Sequence, residues 1–475
     1  MPDSGTTTAG PELLVELDRG TGPVRARLEG HLREAIRSGR LAPGTRLPSS
    51  RTLARDLGVS RRLVVDAYGQ LVAEGWLRAQ QGVGTVVGTA PRGGEGAPAG
   101  SVAAVPRPRY DFFPGSPDLS AFPRALWLRT VREVLLHAPD QALHYPDPAG
   151  TPELRTALAS YLARVRGVQA EPARIVVTTG ARQALTLVAR ALGRDRPADA
   201  PVRIAVEDPS LPPHAAALAA TGARLVGVAV DAHGLDVAAL RRVSADAVVV
   251  TPAHQFPLGM ALSPERRVAL LEWAAEPGTK RVVVEDDYDA EFRYDRRPLG
   301  ALQGRAPEHV AYVGSASKAL APGLRLGWAA LPARLAGPVA YEKALDDAGS
   351  GVLDQLVLAR LLENAAYDRH VRTARRRTHR RREVLEALLA RELPDAALEG
   401  LAAGLHVIVR LAAPVDVTAL AAAAAARSVG VYPLAGRRDA TATALVVGYA
   451  GVSEPALPAG VALLAEAVRE ATIGR

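Results

Sequence analysis

Apolar positions in the first ninety residues recur at helical spacing. Val24, Leu28, Leu32 and Ile36 fall on one face of a helix over Val24–Arg37. Residues 39–44, Gly-Arg-Leu-Ala-Pro-Gly, form a turn. A second helix starts at Leu47-Pro48-Ser49-Ser50-Arg51, with a serine to cap it, and stops at Gly58. Ser60 caps a third helix from Arg61 to about Glu74. Two short helices joined by a tight glycine turn read as a helix-turn-helix. Strands at 76–79 and 84–87, around 80–83, add a β wing.

Residues 1–10 are small and polar and predict disorder. Residues 89–109 are rich in Pro, Gly and Ala, lack any period, and predict a flexible linker. The expected divisions are therefore a module at 11–88, the linker at 89–109 and a second module at 110–475. In the second module short apolar runs alternate with helical stretches: 175–178, 203–206, 225–230, 247–251, 281–284 and 309–313. That alternation predicts a mostly parallel sheet with helices on both faces. From about residue 330 long helical patterns take over, with strands near 405–410 and 445–449, so a smaller C-terminal α+β subdomain is expected.

At 475 residues the chain is long enough for two or three domains, and 48% of it is apolar. A net charge of +8 suits an acidic partner such as nucleic acid. With no cysteine, disulfides, thiol catalysis and cysteine-bound metals are excluded. No signal-peptide core opens the chain and no run approaches a membrane span, so a soluble cytoplasmic protein without membrane contact is expected.

Candidate chemistry gathers in three stretches. Only Lys280, Lys318 and Lys343 are lysines among 58 basic residues. Lys318 follows a buried-strand pattern in Ser315-Ala316-Ser317-Lys318, with Arg325 seven residues on. An amine that can lose its proton can form an imine with an aldehyde, which arginine cannot do. Two serines and an arginine beside it suit a phosphate. The run 280–292, KRVVVEDDYDAEF, brings Asp286 and Tyr288 to the carboxyl end of a strand, where open α/β sheets hold ligands. In 175–185, IVVTTGARQAL, a strand passes through Gly180-Ala181-Arg182 into a helix, and a helix N-terminus binds phosphate. The carboxylates Glu285, Asp286, Asp287, Asp289 and Glu291 could alternatively hold a divalent metal, but a metal leaves the Ser-x-Ser-Lys stretch unexplained. A serine-nucleophile reading of Ser315-x-x-Lys318 lacks its Ser-Asp-Asn and Lys-Thr-Gly partners.

The ordered set of phosphate turn, Asp-x-Tyr and Ser-x-Ser-Lys resembles the fold-type-I aminotransferases, which use pyridoxal 5′-phosphate (PLP), from about Tyr110 onward. Residues 39–87 closely resemble the winged helix-turn-helix of GntR-type repressors. Together they resemble the MocR/GabR regulators. The resemblance implies a PLP-binding sensor and dimerisation domain, usually a head-to-tail homodimer, joined to a module for double-stranded operator DNA. It implies that Lys318 carries PLP as an imine and that Asp286 holds the pyridine nitrogen. Tyr288 would donate to the ring oxygen, while Gly180, Ala181, Arg182, Ser315, Ser317 and Arg325 take the phosphate. Tyr145 is expected to reach the phosphate of the other subunit, or else to be a packed tyrosine. On the DNA side it implies Ser60, Arg61 and Arg62 at the start of the recognition helix, and Arg51, Gly82 and Gly84 against the backbone. No catalytic residue and no metal ligand is expected. Two departures stand against amino-acid turnover. Phe256 replaces an asparagine that bonds the ring oxygen, and Val446 replaces an arginine for the substrate carboxylate; Arg410, Arg437 and Arg438 are nearby in sequence. The effector is expected to be PLP or an amino acid, and control of vitamin B6 synthesis is one expectation; an active aminotransferase with a fused autoregulatory module is the alternative. The basic run 369–382 is either a solvated connecting helix or a second DNA-facing surface.

Overall fold

The computed structural model describes residues 23–80, 84–88, 108–197, 199–294, 299–434 and 441–473, and its chain falls into two units, Met1–Val105 and Pro106–Arg475. Residues 1–10 and almost all of the expected linker lie outside the described residues.

In the first unit the apolar spacing closes three helices on one another: α1 (Val24–Arg37), α2 (Ser50–Leu57) and α3 (Arg61–Ala73). Ser49 accepts from Thr52 N at 3.2 Å and Ser60 from Leu63 N at 3.2 Å, so both expected caps form. Gly58 ends α2 at φ 66°, a left-handed conformation that glycine adopts without a Cβ penalty. Strands β1 (Leu77–Gln80) and β2 (Gly84–Val87) pair antiparallel as the wing. Leu28, Leu32, Leu53, Val64, Leu71 and Leu77 are buried between these elements.

The second unit opens with β3 (Tyr110–Asp111), α4 (Arg124–His137) and α5 (Pro152–Arg166). There follow β4 (Ile175–Thr178), α6 (Ala181–Gly193), β5 (Arg203–Asp208), α7 (Pro212–Ala219), β6 (Arg224–Asp231) and β7 (Gly234–Leu235). Next come α8 (Val237–Arg242), β8 (Ala247–Val250), α9 (Pro264–Ala274), β9 (Val282–Asp286), β10 (Val310–Ser315) and β11 (Gly327–Ala330). The eight-stranded sheet has the order β4-β11-β10-β9-β8-β5-β6-β7. It is parallel except that β11 runs back between β4 and β10 and β7 folds onto β6. The mostly parallel α/β architecture is thus as expected, and the antiparallel β11 is an addition to it. Valines at 176, 177, 248, 283, 310 and 313 are buried, because both faces are covered by helices.

The remainder is α10 (Ala333–Asp347), α11 (Val352–Glu363), α12 (Ala366–Glu392), β12 (Ala397–Glu399), β13 (His406–Asp416), α13 (Val417–Ala426), β14 (Val429–Gly430), β15 (Thr441–Gly448) and α14 (Leu457–Ala471). Strands β12, β13 and β15 form an antiparallel sheet backed by α13 and α14. This is the expected C-terminal subdomain, but it also recruits the start of the second unit. Arg109 N donates to Ser428 Oγ (2.8 Å), β3 pairs with β14, and Phe112 O accepts from Gly448 N (2.9 Å). Arg109, expected in the linker, is therefore already anchored.

Helix α12 divides the basic run between scaffold and surface. Arg381 donates to Asp118 (2.8 Å) and Arg382 to Leu401 O (2.6 Å), and both are buried. Arg369, Arg372, Arg376, Arg377 and Arg380 face solvent.

Candidate functional site

A cavity of about 370 Å³ opens at the carboxyl ends of the central strands. Each wall comes from a separate element. Strand β9 ends at Asp286, with Tyr288 two residues on; β10 ends at Ser315, with Ser317 and Lys318 in the turn beyond; β4 leads through Gly180 into α6 with Ala181 and Arg182. Nine of the ten residues expected at the cofactor line this one cavity: Gly180, Ala181, Arg182, Asp286, Tyr288, Ser315, Ser317, Lys318 and Arg325. The tenth, Tyr145, is 85% exposed and lines a different hollow with Leu143, His144 and Pro146.

Lys318 Nζ donates to Gly115 O at 2.6 Å. Burial lowers the Lys318 pKa, opposed by the charges of Asp289 and Asp286. Asp286 is buried; its Oδ2 lies 3.3 Å from His214 Nδ1, while Oδ1 has no hydrogen-bond partner among the described residues. A buried carboxylate oxygen without a donor is costly, so a ligand donor is the natural complement. Gly180 adopts φ 122°, and a Cβ there would come within 3.1 Å of an Arg325 guanidinium nitrogen. Arg325 itself is left-handed at φ 53°, a conformation uncommon outside glycine. The helix N-terminus, Arg182 and Arg325 make one end of the cavity cationic. Leu211, Phe113, Pro114 and Phe256 supply apolar wall elsewhere.

The acidic stretch does not converge as a metal site would. Alternation along β9 sends Asp286 to the cavity and its neighbours to the other face. Glu285 accepts from Leu302 N (3.0 Å) and Gln303 N (3.1 Å). Asp287 pairs with Arg166 (2.7 Å) and accepts from Tyr312 (2.7 Å). Asp289 pairs with His254 at 2.8 Å.

Several residues at the site escaped sequence reasoning. Glu207, on β5, accepts from Thr251 Oγ1 at 2.7 Å, and burial pushes its pKa up to about 7 against that bond. His214, His254 and Gly115 carry no spacing signal; only their position at strand ends, next to Pro-rich turns, could have drawn notice. Val446 is buried against Ile408 and Ala444. Arg410 is paired with Glu399 (2.6 Å), and Arg437 and Arg438 lie outside the described residues.

In the first unit Ser60, Arg61 and Arg62 stand exposed at the start of α3, and Arg51 is exposed on α2. Neither Arg61 nor Arg62 forms an ion pair among the described residues, and a positive pair at a helix N-terminus opposes the dipole. Gly84 opens β2, where a Cβ would sit 3.7 Å from Arg46 Nε, which places a further arginine at the wing. Gly82 lies outside the described residues. Such an exposed basic helix start can position on phosphates and reach base edges.

Comparison with known proteins agrees with both units. Residues 24–87 match the gntR family of bacterial regulatory proteins, and residues 119–462 match the aminotransferase class I and II family. The chain is 32% identical over 474 residues to the probable rhizopine catabolism regulatory protein MocR of Rhizobium meliloti, covering 94% of each chain. It is 34% identical over 403 residues to the HTH-type pyridoxine biosynthesis transcriptional regulator PdxR of Corynebacterium glutamicum, covering 84% of this chain and 86% of that one. Among solved structures it resembles a multiple substrate aminotransferase from Thermococcus profundus, with a TM-score of 0.68 and 26% identity over 76% of this chain and 91% of the other. Among the described residues no helix is long and apolar enough to cross a membrane. With a GntR-type winged helix at one end and an aminotransferase fold at the other, the chain belongs to the MocR/PdxR-like family of transcriptional regulators.

Proposed function

We propose that this regulator binds PLP through Lys318 and that PLP itself is the effector that alters its grip on operator DNA. The observation that carries the reading is the unpartnered Asp286 Oδ1 in the same cavity as the Lys318 amine and the Gly180–Arg325 turn. PLP, when bound, supplies an aldehyde, a ring nitrogen and a phosphate, the three groups these features complement. The lowered pKa of Lys318 favours the neutral, nucleophilic amine. Asp286 would hold the ring nitrogen protonated. The N–H groups of α6, Ser315, Ser317, Arg182 and Arg325 would take the phosphate.

The modules in this reading are 11–88 for DNA, 89–109 as linker, its last residue Arg109 already anchored to the second unit, and 110–475 as sensor. The working unit is a homodimer, head to tail. Its support is the apolar surface of α4 and the following turn: Leu128, Leu136 and Leu143 are each more than 60% exposed. Tyr145 lies on the same surface and outside its own cavity, so it is available to the cavity of a second copy. Operator recognition falls to Ser60, Arg61, Arg62 and Arg51, with Gly82 and Gly84 at the wing. The site of action is the cytoplasm, where the operator lies.

PLP is favoured over an amino acid because Val446 puts an apolar side chain where the family resemblance sets a carboxylate anchor. Replacement of that anchor also argues against sustained amino-acid turnover. The likeness to PdxR, whose name assigns it to pyridoxine biosynthesis, makes B6 synthesis genes the target to test first. The test is operator binding titrated with PLP, then with amino acids on PLP-loaded protein. PLP alone should change affinity or footprint, because an effector must bind two states unequally. If PLP changes neither but one amino acid does, PLP is only the prosthetic group and the reading fails.

A further inference from the structure

Tyr288 lines the cavity, and a buried pair of side chains meets its hydroxyl. That hydroxyl lies 3.1 Å from His254 Nδ1, and the same nitrogen lies 2.8 Å from Asp289 Oδ2. The imidazole stacks on the Tyr288 ring at 6.3 Å. His254 comes from the turn after β8 and Asp289 from the turn after β9, so two strand ends are tied together at one phenol. The backbone closes over the pair: a Cβ at Gly404 would collide with His254 Cε1 and Asp289 Oδ2. The carboxylates of Asp286, Glu207 and Glu291 also face this set, and Lys318 stands across the cavity. His406 packs on the imidazole at 5.1 Å with Arg382 beyond it, and Arg293 donates to Ala253 O (3.0 Å), next to His254.

What each group can give or take sets the roles here. An ionised carboxylate only accepts, so the proton on the 2.8 Å contact belongs to His254 Nδ1. A protonated Nδ1 has no lone pair to offer. At 3.1 Å it therefore meets the Tyr288 oxygen as a donor and cannot take the phenol proton. The phenol oxygen accepts on its buried side and keeps its own proton for the cavity. Burial, reinforced by the charge of Asp289, pushes the Tyr288 pKa well up, so that proton stays in place at working pH. Phe256, whose ring meets that of Tyr288 edge-on at 6.1 Å, has no polar atom on its side chain to offer a ligand.

We propose that His254 and Asp289 are positioning residues that fix Tyr288 as a donor into the cavity, toward the phenolic oxygen of bound PLP. This rests on the PLP reading and adds to it the pair that orients the Tyr288 proton. Without the His254 N–H, Asp289 is left as a bare acceptor near the phenol and draws that proton out of the cavity. A donor lets the phenolic oxygen give up the proton it shares with the Lys318 nitrogen at lower pH, so losing the donor moves the cofactor's absorption change upward.

The test is a spectrophotometric pH titration of the PLP-loaded full chain as wild type, Tyr288→Phe, His254→Leu, His254→Asn and the Tyr288→Phe/His254→Leu double variant. Tyr288→Phe should raise the midpoint by about one pH unit or more, the size of a hydrogen bond to a charged group. His254→Leu should raise it as far, and in the Tyr288→Phe background should add nothing. His254→Asn puts an amide N–H where Nδ1 stood and should restore the wild-type midpoint. Three results would each overturn the inference. One is a midpoint that Tyr288→Phe leaves in place, which is decisive even if His254→Leu does not fold. Another is a His254→Leu shift that persists in full without the Tyr288 hydroxyl, and the third is a His254→Asn midpoint displaced as far as that of His254→Leu. A wild-type chain that takes up no chromophore overturns the PLP reading, and this inference with it.

Discussion

Asp286 and Asp287 are adjacent in sequence, and the structure gives them opposite jobs. Asp287 is 5% exposed and neutralises Arg166, which is 8% exposed and ties α5 to the end of β9. Replacing Asp287 with Ala strands a buried guanidinium whose remaining bond among the described residues is to Leu299 O (2.7 Å). Removing one member of a buried pair costs about 3–5 kcal/mol. The Tyr312 hydroxyl loses its acceptor as well. Asp286→Asn removes a charge whose Oδ1 has no partner and which gains little from His214 at 3.3 Å. Its effect on stability should be within about 1 kcal/mol, and in the stabilising direction. Its effect on PLP should be the larger one, because the ring nitrogen loses its counter-charge. Urea denaturation of the unliganded variants and PLP titration of each separate the two roles. If Asp286→Asn destabilises more than Asp287→Ala, or if Asp287→Ala costs less than about 1 kcal/mol, the division between ligand group and scaffold is wrong.

Arg61→Ala or Arg62→Ala should weaken operator binding by about 1–3 kcal/mol while PLP uptake is unchanged, as read by fluorescence anisotropy. Wild-type affinity should also fall steeply with salt. Lys318→Ala should abolish the adduct trapped on the protein by borohydride in the presence of PLP, and peptide mapping to Lys280 or Lys343 instead would displace the proposed centre. Glu207 has a folded pKa near 7 against an ordinary 4.5, because burial outweighs its bonds to Thr251 and Gln255. The native state thus keeps a proton that the unfolded chain loses between these values, so stability is lost as pH rises through 7. Glu207→Gln removes that slope and should gain about 3 kcal/mol on wild type between pH 4.5 and 8, read from denaturation midpoints. An equal difference at both pH values would refute the assignment.

What could be read from the sequence was what local chemistry encodes. The period of Val24, Leu28, Leu32 and Ile36, and the capping serines at 49 and 60, gave the helices of the first unit almost to the residue. Apolar runs that end in a carboxylate, a serine or a glycine marked strand ends, which is why Asp286, Ser315 and Gly180 could be expected at a ligand. Strand β11 was not legible: Gly327–Ala330 is apolar like its neighbours, and nothing local says that it turns back antiparallel. The pairing of β3 with β14 joins residues more than 300 positions apart, beyond the reach of periodicity. The end of the basic run on α12 proved structural, because burial of Arg381 and Arg382 depends on partners at Asp118 and Leu401 that only the fold brings near.

The return strand β11 has a consequence for how a ligand is received. Ser315 pairs with Gly327, Gly327 pairs with Thr178, and Ala316 N donates to Leu326 O at 3.0 Å. The turn carrying Ser317, Lys318 and Arg325 is therefore clasped at its base between two sheet strands before any ligand arrives. A clasped turn has little conformational entropy left to lose, so ligand affinity is not reduced by the cost of ordering it. The same rigidity removes that turn as a means of signalling, since a segment already fixed cannot report occupancy by becoming fixed. Occupancy must then be read out through what borders the turn on its other side: the Phe113–Gly115 segment, whose Gly115 carbonyl accepts from Lys318 Nζ and whose chain leads back toward residue 109.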